Sequence, residues 1–392
     1  MSIKRHILPV IVFAQFCCTA LWFAGNAIIS DLITNFQLAP SALAHLTSAV
    51  QFGFITGTFL FAVLTISDRF SPSKVFFTCA IIAGVLHLFM VLDDNTMERL
   101  FFMRFGTGFF LAGIYPVGMK IASDYFEKGL GKSLGFLVGA LVLGTAFPHV
   151  LKVFAHIMSW KTMVYITSGI AFTGGLLVLL FVPEGPYKTK LQKFDITLFY
   201  NIFKIKKFRT AAFGYFGHMW ELYAFWAFLP LVLKGYISFH DTVSFDVSLF
   251  SFIIIASGAL SCVLSGYLSQ TYTPKLVATA ALTLSCLCCL VSPFVFMVDS
   301  KVVFLGFMMF WGMVVIADSP LFSTLVAKNV PNTAKGTALT IVNSIGFAIT
   351  ILSIQLLNLL QDYIDVKYLF LILAVGPVIG LFNLYSLKKL NS

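Results

Sequence analysis

Twelve apolar stretches, most of them twenty residues or longer and separated by short polar breaks, constrain this chain more than any other feature. They fall near 7–32, 42–66, 75–92, 99–122, 134–155, 162–183, 209–235, 247–269, 276–297, 302–325, 338–360 and 368–386. A bilayer core about 30 Å thick takes about 20 residues of α-helix. Inside it a backbone must satisfy its own polar groups, which leaves helices or closed barrels. Runs of this length predict an all-α membrane protein with twelve transmembrane helices. The breaks carry helix-ending residues: Ser71-Pro72, Asp93-Asp94-Asn95, Gly129 and Gly131, Tyr272-Thr273-Pro274, and Asn329 to Asn332.

Composition excludes the soluble alternatives. The 392 residues are 59% hydrophobic and 11% charged, with 44 Phe against 16 acidic residues, too little polarity to cover a soluble domain. Lys4 and Arg5 precede an apolar run that continues to about Leu32, so it reads as a retained span and not as a cleaved signal. The seven cysteines (Cys17, Cys18, Cys79, Cys262, Cys286, Cys288, Cys289) all lie in apolar runs, and no disulfide framework is expected. Cys286, Cys288 and Cys289 read as packing residues at helical spacing, with a soft-metal site as the alternative. No cofactor is expected.

The net charge of +10 is a topology signal and not a nucleic-acid stripe. The termini and even-numbered loops hold eighteen Lys and Arg and the opposite side six; Arg104 and Lys120, inside a span, complete the 26. By the positive-inside rule both termini are cytoplasmic, in a bacterial inner membrane. The long connection 184–208 contains Ile196, Phe199, Phe203 and Ile205 among lysines, which suggests an amphipathic helix on anionic headgroups. It separates six-span segments at 1–183 and 209–392.

These segments repeat. Ser67-Asp-Arg-Phe-Ser-Pro72 returns as Ser269-Gln-Thr-Tyr-Thr-Pro274, 202 residues later, and Tyr115-Pro116 as Ser319-Pro320, 204 residues later. Small residues mark close helix crossings: Gly53 and Gly57 in the second span, Gly131, Gly135 and Gly139 in the fifth, Ser257, Ser261 and Ser265 in the eighth. Packing within a bundle and packing across bundles both fit.

The loop after the second span reads Leu64-Thr-Ile-Ser-Asp68-Arg69-Phe-Ser-Pro-Ser-Lys74, and its copy keeps Gly266 and Leu268 with Gln270 at the acidic position. The fourth span contains Arg104-Phe-Gly-Thr-Gly108. These residues resemble the major facilitator superfamily, whose loop typically reads G-x-L-A-D-R-x-G-R-K and whose fourth span carries R-x-x-x-G. Asp68, Arg69 and Lys74 match; the two glycines and the adjoining arginine do not. The resemblance covers essentially the whole chain. It implies two pseudo-symmetric six-helix bundles and a latch in which Asp68 meets the positive end of the eleventh span. A solvated Asp68–Arg69 pair is the plainer alternative. The G-P element in the fifth span of many drug/proton antiporters is absent, since Thr145 follows Gly144 and the proline comes at Pro148.

Ionisable groups at membrane depth need a partner or a water-filled cavity. Glu221 lies halfway along the seventh span with His218 one turn before it, a pairing suited to proton coupling or to a packed hydrogen bond. The H-x-x-E spacing lacks the further histidine of zinc proteases, with Leu222 in its place. Arg104, His149 and Lys152 reach similar depth near the outer side, a cationic set for an anionic substrate. Alternatively Asp31 neutralises Arg104. Lys120 and Asp318 occupy repeat-related positions and read as a gate or, for Lys120, as snorkelling. Gln15, Thr19, Trp22 and Asn26 form a polar stripe along the first span, with Tyr115, Trp220, Trp226 and Asn343 as candidates to complete a cavity wall.

The sequence thus predicts a secondary transporter for a small solute, most simply proton-coupled uptake of a small organic anion, acting as a monomer in the lipid bilayer. A proton-driven efflux antiporter is the alternative within that class. A membrane sensor or an intramembrane enzyme is the alternative outside it, but the chain offers no signalling domain, nucleophile set or P-loop.

Overall fold

The computed structural model describes residues 6–126, 130–154, 157–187, 198–331 and 334–386. Among these, twelve helices are long and apolar enough to cross a membrane: Ile7–Ala27, Ala42–Val63, Pro72–Val91, Met97–Tyr125, Ser133–Val153, Trp160–Phe181, Lys206–Phe239, Val247–Thr271, Pro274–Phe296, Lys301–Lys328, Lys335–Leu360 and Val366–Tyr385. They are called here the first to twelfth spans. The described residues contain no strand. Large apolar side chains such as Phe102, Phe294 and Phe382 are more than two-thirds exposed, as lipid-facing positions require.

Local chemistry sets the helix starts. Thr96, Ser159, Asp246 and Thr273 cap the fourth, sixth, eighth and ninth spans by accepting a hydrogen bond from a backbone N–H three residues on. Pro72 and Pro274, repeat-related, open the third and ninth spans in the first turn, where a missing N–H costs nothing. The fourth span breaks after Leu111 and resumes at Tyr115; the tenth breaks at Asp318 and resumes at Ser319. Pro116 and Pro320 begin the resumed segments, so the repeated Tyr-Pro and Ser-Pro pairs mark two matching helix breaks.

The chain forms two compact units, Met1–Phe194 and Asp195–Ser392. In the first, the first span packs on the fifth and sixth, the second on the fourth, and the third on the fourth and sixth. In the second, the seventh span packs on the eleventh and twelfth, the eighth on the tenth, and the ninth on the tenth and twelfth. Adding six to each number of the first list gives the second list. The duplication visible in two short motifs therefore extends to the choice of every main packing partner.

The small residues work within each unit. A Cβ on Gly53 or Gly57 would overlap the carbonyl oxygens of Phe105 and Phe109 on the fourth span, so only glycine permits this approach. In the connection 184–208, the segment 188–197, with Asp195 and Ile196, lies outside the described residues, as do Lys128, Gly129 and both ends of the chain. From Leu198 the chain forms a short helix to Lys204, in which Ile202 is buried and Tyr200 exposed.

Candidate functional site

Each unit carries its own set of buried polar side chains. In the first, Arg104 is fully buried. Its guanidinium donates to the carbonyl oxygens of Leu21, at 2.9 Å, and Trp22 on the first span. Gly25, one turn on, leaves room for it: a Cβ there would sit 3.2 Å from Arg104 Nε. No ion pair involves Arg104 among the described residues. The expected neutralisation by Asp31 does not occur, because Asp31 pairs with Lys152. That pairing gives one of the three expected cations a carboxylate partner. Lys152 is spent on Asp31, both partly exposed, and His149 is buried with Nε2 bonded to no described residue.

The polar stripe of the first span divides. Thr19 donates back to its own helix at Gln15 O, 2.8 Å away. Asn26 donates to Thr47 Oγ1 on the second span at 2.8 Å, and the Trp22 ring lies 4.8 Å from that of Phe54. Gln15 has both ends of its side-chain amide unbonded to any described residue. Tyr115, half-buried, opens the second segment of the fourth span.

At the end of this unit where the second span closes, Lys120 Nζ lies 2.8 Å from Asp68 Oδ1 and 3.9 Å from Asp124 Oδ2. Arg69 donates from Nε to Thr65 Oγ1 at 3.0 Å and does not pair with its neighbour Asp68. Lys120 is therefore an ion-pair partner of the loop after the second span. Tyr125 OH and Ser73 Oγ donate to Pro183 O and Val182 O, tying the same end to the close of the sixth span.

In the second unit Glu221 is buried, and one oxygen, Oε1, collects three donors: Ser285 Oγ at 2.5 Å, Trp311 Nε1 at 2.6 Å and Cys289 Sγ at 3.4 Å. The seventh, ninth and tenth spans thus converge on one carboxylate. Glu221 does not bond to His218. His218 instead places Nδ1 2.7 Å from Asp318 Oδ1 at the break of the tenth span, and both side chains are 1% exposed. Lys120 and Asp318, offered by the sequence as a pair, each have a partner inside their own unit. Trp226 is buried beside Tyr223, Trp220 Nε1 lies 3.5 Å from Ile372 O, and no cluster of metal-ligating side chains forms among the described residues.

The partners of Glu221 escaped sequence reasoning. Cys289 stood in the C-x-C-C cluster, but Ser285 and Trp311 have no signal of their own. They become visible only once the ninth and tenth spans are placed beside the seventh.

The model of the family described as Major Facilitator Superfamily matches residues 11–354. The chain belongs to the major facilitator superfamily. Its fold is that of membrane transporters, and it is a multi-pass membrane protein. Among solved structures it is similar to the proton:xylose symporter XylE bound to 6-bromo-6-deoxy-D-glucose. That match has a TM-score of 0.72 at 15% identity, covering 97% of this chain and 94% of that one. It is also similar to a bacterial homolog of the human lysosomal transporter Spinster in an inward-facing, unoccupied conformation. There the TM-score is 0.68 at 14% identity, over 98% of this chain and 96% of the other. No curated protein sequence matches it.

Proposed function

We propose that this superfamily member is a proton-coupled secondary transporter that takes up a small organic anion by alternating access. The observation that carries the reading is Glu221, buried at mid-span with Ser285, Trp311 and Cys289 all donating to Oε1. Burial favours a neutral carboxyl group and donated hydrogen bonds favour a charged one. A carboxylate held between these opposed demands can exchange a proton as its surroundings change during a transport cycle. The His218–Asp318 pair, 2.7 Å apart, is a second group through which a proton can pass. The likeness to a proton:xylose symporter accords with H⁺ as the coupling ion.

The anionic substrate rests on Arg104. Among the described residues only carbonyl oxygens hold this buried guanidinium, which leaves its positive charge uncompensated there, and a substrate carboxylate would compensate it. His149, Gln15, Trp22, Asn26 and Tyr115 are assigned to the same recognition region, with Lys152 at its outer margin. Asp68, Arg69, Lys120 and Asp318 are assigned to gating. The charge bias of the loops supports cytoplasmic termini in a bacterial inner membrane.

Proteoliposomes with an imposed pH gradient test the coupling. Glu221→Gln should abolish gradient-driven uptake of an anionic substrate and spare counterflow exchange. Undiminished driven uptake by that variant would exclude Glu221 as the coupling group. Loss of preloaded solute against an inward proton gradient would assign the chain to efflux instead.

A further inference from the structure

The first and second spans carry polar stripes with the same spacing. Gln15, Thr19, Trp22 and Asn26 recur at i, i+4, i+7 and i+11, and so do Thr47, Gln51, Phe54 and Thr58. Two contacts set their register: Asn26 Nδ2 to Thr47 Oγ1 at 2.8 Å, and the Trp22 and Phe54 rings at 4.8 Å. The spans run antiparallel, so Gln51 falls between the Trp22 and Asn26 levels and Thr58 lies toward Gln15. Arg104 docks on Leu21 and Trp22, within a turn of the level of Gln51. Gly108, one turn further along the fourth span, abuts the backbone of Val50, the neighbour of Gln51.

Within this layer the fold satisfies Thr19, Asn26 and Thr47 and leaves the two glutamines open. Gln15 and Gln51 are both 0% exposed, and neither Oε1 nor Nε2 of either side chain bonds to a described residue; Thr58 Oγ1 and Arg104 Nε share that condition. Native interiors leave few buried polar atoms in this state, and each bears a desolvation penalty with nothing to offset it. A methionine would fill either position without that penalty. Gln51 kept open within a turn of an uncompensated guanidinium, with Gln15 open about two turns along the first span against Gly118, marks groups whose partner is a solute.

We infer that Gln51 and Gln15, with Arg104, form a recognition site within the first unit for a small hydroxylated carboxylate. Arg104 takes the carboxylate and the two carboxamides take the hydroxyls. The open groups decide the class. Each carboxamide offers a donor and an acceptor side by side, and a hydroxyl both donates and accepts at one atom. A second carboxylate would satisfy Nε2 and leave Oε1 unmatched, and an ammonium would do the reverse. This inference rests on the proposed anion uptake and adds the substrate class and Gln51 as a residue that selects it.

Calorimetric titration of the purified full-length protein tests it. Glycerate and gluconate serve as hydroxylated acids, propionate and hexanoate as their deoxy counterparts, glycerol and sorbitol as neutral polyols. The hydroxylated acids should bind about tenfold or more tightly than either control, the scale of one or two hydrogen bonds to buried groups. Gln51→Met should erase the preference over the deoxy acids while leaving deoxy-acid binding unchanged. It should also raise the melting temperature of the ligand-free protein, because an open buried amide is removed. Gln15→Met is the companion variant and should behave likewise. Deoxy acids binding as tightly as hydroxylated ones, with Arg104→Met abolishing both, would overturn this inference and leave anion transport standing. Polyols binding as tightly as the acids, or no carboxylate binding at all, would overturn both. A lower melting temperature in both methionine variants would make the glutamines structural supports and would also overturn the inference.

Discussion

The contact between the second and fourth spans and the contact between the eighth and tenth are the same contact built twice, 204 residues apart. On the fourth span Gly108 abuts the Val50 carbonyl; on the tenth, Gly312 abuts that of Ile254. Along the partner helix the solutions diverge. Gly53 and Gly57 face the carbonyls of Phe105 and Phe109 with no room for a Cβ. Their counterparts Ser257 and Ser261 place hydroxyls 3.4 and 2.5 Å from the carbonyls of Met309 and Met313. One crossing relies on close approach and the other on interhelical hydrogen bonds, two of the ways helices associate in lipid. The duplicated backbone arrangement has persisted while its side-chain chemistry drifted. The ionisable groups drifted furthest. At the same offset, Arg104 answers to Met308, Glu221 to Cys17 and Asp318 to Ile114, whereas Trp22 answers to Trp226. The framework belongs to both units, and each buried charge belongs to one.

Exchanging the Arg104 and Met308 side chains would break this comparison most violently. Met308 is 1% exposed in the second unit, whose two buried carboxylates, Glu221 and Asp318, already have side-chain partners. Met308→Arg places a charge at membrane depth, at about 2.5–3.5 kcal/mol on insertion scales, and should eliminate folded protein from detergent extracts. Arg104→Met should give folded protein of near-normal melting temperature, since removing a buried uncompensated charge is often neutral, and should lose binding of anionic solutes. Size-exclusion profiles and thermal unfolding of the two variants separate these outcomes. Collapse of Arg104→Met would show that the carbonyl contacts to Leu21 and Trp22 are its main role.

A gentler exchange swaps the two crossings. Gly57→Ser adds a Cβ against the Phe109 carbonyl, and the backbone must shift. A destabilisation of about 1–3 kcal/mol is expected, as for other overpacked positions. The reverse change, Ser261→Gly, removes a hydroxyl where space already exists and should be much milder. Equal losses in thermal unfolding would show that the crossings are less different than the carbonyl contacts indicate.

Span number and repeat were legible because each is a one-dimensional signal. Hydrophobic length placed the second span at 42–66, and the structure has Ala42–Val63. The seventh and fourth spans run longer than their apolar cores, to Lys206–Phe239 and Met97–Tyr125, because helix continues past the apolar stretch into polar flanks. Individual residues were legible and their partners were not. Asp31 and Arg104 were correctly placed toward the same side, but Lys152 on the fifth span reaches Asp31 instead. Glu221 and His218 share a helix face, yet Glu221 turns to Ser285 and Trp311 while His218 meets Asp318. Choices among competing partners depend on helices far apart in sequence. A single chain read by periodicity contains no term for that competition. The serine stripe of the eighth span was read as a small face, and nothing in the residue type foretold that its hydroxyls would bond across.

The finest test of the comparison is Ser261→Ala, which keeps the Cβ and deletes only the hydroxyl. Ser261 Oγ lies 2.5 Å from Met313 O and 2.8 Å from Gly258 O of its own helix, so its single proton can serve one carbonyl at a time. Membrane interhelical hydrogen bonds average about 0.6 kcal/mol when measured by double-mutant cycles, because the separated helix finds other partners. Here the alternative acceptor is built into the same turn. The loss in Ser261→Ala should therefore fall at or below that average, and the eighth–tenth crossing should survive with the tenth span in place. A loss of about 2 kcal/mol or more in equilibrium unfolding would mean that the hydroxyl holds the tenth span alone. The second unit would then depend on polar bonding at the position where the first depends only on the absence of a side chain.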